Sequence, residues 1–158
     1  MLSATAPFTR KHYAYLGKLF IQKEPEIAHK LISQYLPKIE PTETDYSKIP
    51  GYFINYCKVL DIRPQEFIGP VHKSSLVNVR RTFVAVILHI YAPQLFQQPA
   101  DDLILDRVGL SKSLSNLLQV KKNKISEYIR EVVLWEKSYE DFAENVNSII
   151  EKLTNGSE

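Results

Sequence analysis

Apolar residues recur along this chain at spacings of three and four, the period of a helix with one buried face. Tyr13, Leu16, Leu19 and Phe20 set the pattern across residues 8–21. Ile27, Leu31, Ile32, Tyr35 and Leu36 set it again after Glu24-Pro25-Glu26, and Pro37 stops it. Pro fits the first turn of a helix, and acids there suit the helix dipole. Residues 40–49 hold Pro41, Thr42, Thr44, Asp45 and Ser47 and read as a surface loop and a flexible point. Pro50 opens a third helix, with Tyr52, Phe53, Tyr56, Val59 and Leu60 as its stripe and Cys57 packed as a small hydrophobe. Asp61-Ile62-Arg63-Pro64 breaks it. Residues 64–70 then read as one helical turn closed by Gly69-Pro70, with Phe67 and Ile68 as anchors.

A fourth helix is expected over residues 76–91, capped by Ser74 or Ser75. Its centre, residues 83–91, is nearly all apolar, so it should be buried on most sides and act as the spine of the core. Pro93 ends it. Leu103, Ile104, Leu105 and Val108 suggest another short helix, which Gly109 separates from the next. From Ile125 to Leu153 there is neither Gly nor Pro, and Ile125, Ile129, Val132, Tyr139, Phe142, Val146, Ile149 and Leu153 keep a helical period. Trp135 falls off that stripe, which favours a break near Ser138. The pattern predicts an all-α fold: a single compact helical domain of about seven helices. Residues 1–70 would form an N-terminal helical subdomain. Residues 71–158 would form the helical core with an acidic C-terminal helix.

One stretch adds chemistry to this pattern. In SKSLSNLLQVKKNKISEYIREVV, residues 111–133, Leu114, Leu117 and Leu118 form one apolar set. Ile125, Tyr128, Ile129, Val132 and Val133 form a second. Between them lies Lys121-Lys122-Asn123-Lys124. The segment resembles the helix-turn-helix of bacterial transcription regulators. Ser115 matches the small residue where the two helices cross. Leu118 and Val120 match the apolar residues flanking the turn, and Ile125-Ser126, Tyr128 and Ile129 match the opening of the second helix. The family usually has Gly in the turn, where this chain has Gln119. A left-handed backbone there costs a non-Gly residue roughly 1 kcal/mol.

The resemblance implies that the second helix lays its N-terminal residues along base edges in the major groove. Those residues are Lys121, Lys122, Asn123, Ser126, Glu127 and Arg130. Lys and Arg donate to guanine, Asn bridges adenine, and Glu accepts from cytosine N4. Lys124 and Lys112 would meet phosphates, as would the N–H groups after Ser111. One such module binds weakly, so a homodimer through the C-terminal helix is expected beside double-stranded DNA as partner. Arg80-Arg81, a turn before the apolar block, fit two roles: a phosphate clamp, or ion-pair partners for the acidic tail.

Composition is ordinary for a globular chain of 158 residues, with 44% hydrophobic and 24% charged. The net charge of +2 carries no bulk electrostatic argument, but its distribution does. Residues 71–124 carry eight Lys/Arg against three Asp, and residues 125–158 carry three against eight acids. That asymmetry fits a polyanion-binding face beside a solvated tail, or two faces that simply pair with each other. The single cysteine excludes a disulfide framework and a cysteine-based zinc site, and it fits a reducing, cytoplasmic setting. His12, His29, His72 and His89 show no metal-ligand spacing. The first 23 residues lack acids, as organelle presequences do, but read more simply as a folded helix. No apolar run is long enough to span a bilayer.

Neither a Gly-rich phosphate loop nor a nucleophile setting appears. The expectation is a non-catalytic DNA-binding protein, without cofactor, metal or membrane association. It would serve as a transcriptional regulator or as an accessory of replication or a mobile element. The alternative is an all-helical protein–protein interaction module, with the acidic C-terminal helix or the aromatic N-terminal helices as its contacts and no nucleic-acid binding.

Overall fold

The computed structural model describes residues 10–35, 41–71, 73–98 and 108–155. Among them lie seven α-helices and no strand: α1 (Arg10–Lys23), α2 (Pro25–Tyr35), α3 (Ile49–Leu60), α4 (Ser74–Tyr91), α5 (Val108–Leu118), α6 (Lys122–Ser138) and α7 (Glu140–Asn155). The helix suggested around Leu103–Leu105 lies outside the described residues.

Contacts divide the chain into Met1–Lys38 and Ile39–Glu158. The stripe of α3 is buried together with residues of α4 to α7, so residues 39–70 belong to the larger unit. In the smaller unit α1 and α2 form a hairpin through Glu24, whose N–H donates to Phe20 O at 2.8 Å. Ala28 is buried, while Tyr13, Leu16, Phe20, Ile21, Ile27 and Leu31 stay exposed.

In the larger unit, α4 is the spine. Phe83, Val84, Ala85, Val86, Ile87, Leu88 and Tyr91 are fully buried. A helix with so continuous an apolar run has no polar face to turn to water, so neighbours must cover it all round. α6 packs along it, and α3 and α7 close the other sides. Phe53, from α3, meets Phe83 and Phe67 with ring centroids 5.3 and 4.9 Å apart. Tyr56 is buried beside them, and its hydroxyl donates to Val79 O at 2.7 Å. Cys57 is buried too, and burial pushes its thiol up to about 11.

The long Gly- and Pro-free segment breaks after Ser138. Tyr139 leaves the helical conformation there, and Trp135 meets Phe142 edge-on at 5.5 Å across the corner. α7 turns Val146, Ile149 and Leu153 into the core. Its apolar stripe therefore packs against the chain's own core.

Two positions differ from the pattern-based expectation. Gly109 does not separate two helices; it sits inside α5. A Cβ added there would lie 2.8 Å from the Tyr46 ring, so close approach of that ring requires glycine. Ser74 and Ser75 lie inside the first turn of α4, and Lys73 is the cap residue without a side-chain cap bond.

The loop at residues 41–48 is fastened more firmly than its composition suggests. Glu43 N–H donates to Ile90 O at 3.2 Å, and Tyr91 hydroxyl donates to Asp45 O at 3.0 Å. The Glu43 carboxylate accepts from Lys48 Nζ at 2.5 Å and from the N–H groups of Thr44 and Asp45. Those donors, Lys48 first, hold its pKa down from 4.5 to about 2. A depressed carboxylate contributes stability that is complete above its unfolded pKa and is lost as pH falls through its folded one. Urea midpoints measured at pH 5 and pH 2 should therefore fall further for the parent than for Glu43→Gln. Equal falls would show that this carboxylate does not fasten the loop.

Candidate nucleic-acid interface

Helices α5 and α6 are joined by Gln119, Val120 and Lys121. The connection is tight because Ser115 closes it from both directions. Its hydroxyl donates to Val120 O at 2.6 Å, and its carbonyl accepts from Val120 N–H at 3.2 Å. Gln119 takes the left-handed conformation that the resemblance implies, with φ of 51°. Inside the pair, Leu110, Leu114 and Leu118 of α5 and Ile125, Tyr128 and Ile129 of α6 are buried in one core.

That inner packing decides what faces out. Asn123, Glu127, Arg130, Leu134 and Lys137 are exposed, and their spacing makes one continuous solvent stripe on α6. Lys121 and Lys122 are exposed at its N-terminal end. Lys121 caps the helix in an extended conformation without a side-chain cap bond. The first N–H groups of α6 thus lack a cap from that side chain, and the positive end of the helix dipole adds to the lysine charge. The side chains of Lys121, Lys122, Lys112 and Arg130 make no hydrogen bond or ion pair with the described residues.

Two members of the expected set are engaged locally. Lys124 Nζ lies 2.6 Å from Glu127 Oε2 and 5.4 Å from the Tyr128 ring centroid. The hydrogen bond to Glu127 raises the pKa of Lys124. Ser126 is half-buried, and its hydroxyl donates back to Lys122 O at 3.3 Å. Glu127 is the one carboxylate paired with this corner among the described residues; those of α7 form no ion pair with it.

The arginine pair separates into two different roles. Arg81 is partly exposed; its Nε lies 2.6 Å from Glu131 Oε2, and its guanidinium lies 4.8 Å from the Trp135 ring centroid. It realises the ion-pair reading, with a partner on α6. Arg80 is only 2% exposed. Its Nε donates to Phe67 O at 3.1 Å, and its terminal nitrogen donates to Phe67 O and to Gly69 O, the latter at 2.7 Å. Buried and turned toward these two carbonyls, Arg80 is not placed to grip a phosphate and leaves the contact set. The N–H groups after Ser111 leave it as well. Ser111 is buried within α5, which already starts at Val108.

Arg80 instead supports the turn from behind. Gly69 N–H donates to Leu118 O at 2.8 Å, satisfying one of the carbonyls left open at the end of α5. Gly69 has φ of 79°, so the same residue supplies both the bend and the bond. The Gly69-Pro70 pair was the visible sequence signal, but nothing in the pattern joined it to Leu118. Asn116 is a further exposed polar residue, one turn after Lys112 on α5, and pattern reading passed over it.

Set beside family models, curated proteins and solved structures, the chain matches none of them.

Two substitutions test the geometry of the corner. Gln119→Gly should stabilise the protein by about 1 kcal/mol in urea unfolding by removing left-handed strain, and Gln119→Val should destabilise it. A loss of stability in the glycine variant would contradict a strained turn. Arg80→Met should cost about 3 kcal/mol, because it leaves two buried carbonyls without a donor. It should also speed hydrogen exchange at the Gly69 amide. Unchanged exchange there would show that Arg80 does not hold the loop against α5.

Proposed function

We propose that this chain is a non-catalytic DNA-binding protein that lays the N-terminal half of α6 in the major groove of a duplex. The observation that carries the reading is the exposed, largely unpaired cationic corner Lys121–Asn123, standing on a helix whose opposite face is wholly buried. A helix anchored this way presents its outer stripe at a fixed angle, which a groove-reading element needs. Lys121, Lys122, Asn123, Ser126, Glu127 and Arg130 meet base edges. Lys112 and Lys124 meet phosphates, and Arg81 stiffens the helix from the side through Glu131. The role is that of a transcriptional regulator or of an accessory in replication or a mobile element.

A second reading, an all-helical interaction module without nucleic-acid binding, is favoured by the exposed apolar residues of α1 and α2. On that reading the contact surface is this hairpin, whose apolar side chains stay exposed.

Fluorescence anisotropy with random-sequence duplex at low salt separates the two. The parent should bind, and Lys121→Glu/Lys122→Glu should weaken binding at least tenfold. Absence of binding by the parent, or equal binding by the double variant, sinks the DNA reading and leaves the interaction module.

A further inference from the structure

One acid stands on the cationic face, and its setting is specific. Glu127 lies on the outer stripe of α6, one turn after Asn123 and just under one turn before Arg130. A free carboxylate there would be repelled by the phosphates of any duplex laid on α6. Lys124 offsets that repulsion from within the helix, bonded to Glu127 Oε2 at 2.6 Å. The lysine is held in turn over the ring of buried Tyr128. The pair is exposed at both ends, so it offsets part of the carboxylate's charge and biases its orientation. Its other oxygen, Oε1, has no partner among the described residues.

A carboxylate oxygen only accepts hydrogen bonds. In the major groove, two bases offer it a donor: cytosine at N4 and adenine at N6. Adenine sets the N7 acceptor beside its amino group, so a carboxylate approaching N6 also meets a lone pair. Cytosine has no acceptor on that edge. The guanine paired with cytosine presents O6 and N7, which suit a cationic donor, and Arg130 stands on the same stripe.

Resting on the DNA-binding reading above, we propose that Glu127, oriented by Lys124, is a specificity-determining residue that selects a C·G pair, with Arg130 donating to the guanine. Glu127 then contributes base choice at that position.

The test is selection of bound sequences from a randomised duplex library by the full chain, with Glu127→Gln and Glu127→Ala alongside. Both substitutions are on an exposed surface, and circular dichroism checks that each variant folds as the parent does. The parent should enrich cytosine about tenfold at one position. Glu127→Gln should shift that position toward adenine, whose N6 and N7 a carboxamide can bridge. Glu127→Ala should flatten it. The same preference in all three proteins, or duplex binding with no enriched cytosine, overturns the proposal and leaves the DNA-binding reading standing. A parent that binds no duplex overturns both.

Discussion

A single buried guanidinium connects the core of this protein to its candidate binding corner. Arg80 projects from α4 beneath the 64–70 loop and holds the carbonyls of Phe67 and Gly69. Gly69 in turn donates its amide to the last turn of α5. A buried charge is tolerated only where its donors are matched, and here the matching groups belong to a loop with no regular hydrogen-bonding ladder of its own. The arrangement therefore serves both partners. The arginine gains acceptors, and the loop gains a fixed shape against which α5 ends and the chain reverses into α6. The left-handed residue at Gln119 sits on that support, which is how a turn without glycine keeps its form.

The outward face of α6 follows from what covers its inner face. α4 lies along one side, α5 closes the N-terminal end, and α7 folds back under Trp135. The charge asymmetry of the chain resolves in the same way. Part of it is internal: Arg81 pairs with Glu131 on the α4–α6 flank, where His89 Nε2 also lies 2.5 Å from Glu136 Oε1. The lysines at the head of α6 take no part in these contacts, so positive charge remains at the turn while acids accumulate farther along the chain.

The hairpin of α1 and α2 obeys a different balance. Two helices alone cannot enclose an apolar stripe, and Ala28 is buried while larger side chains around it remain open. Gly17, Phe20, Ile21, Ala28 and Leu31 line a shallow cavity of about 230 Å³ between them. Its apolar lining is the reason an interaction role keeps a place beside nucleic-acid binding.

Much of this architecture could be read from residue order, because helical periodicity is a local property. The all-helical class, the buried run of α4, the break at Ser138 and the inner residues of α5 and α6 all follow from spacing and side-chain type. So does the exposure of Lys121, Lys122 and Asn123, which stand off every apolar stripe. What spacing cannot express is which distant groups meet. Arg80 and Arg81 are adjacent and chemically identical, yet one is sealed under a loop and the other stacks on an indole. A helix advances about 100° per residue, so neighbours in sequence face different surroundings. Gly109 looked like punctuation and proved to be a contact, because the Tyr46 ring that requires it lies far away in the chain. The stripe of α7 does not name what covers it, and the positions of α3 and α4 do. Periodicity along the chain determined the helices and their faces. Contacts between remote residues decided which charges stayed free, because only packing sets the distance from one side chain to another.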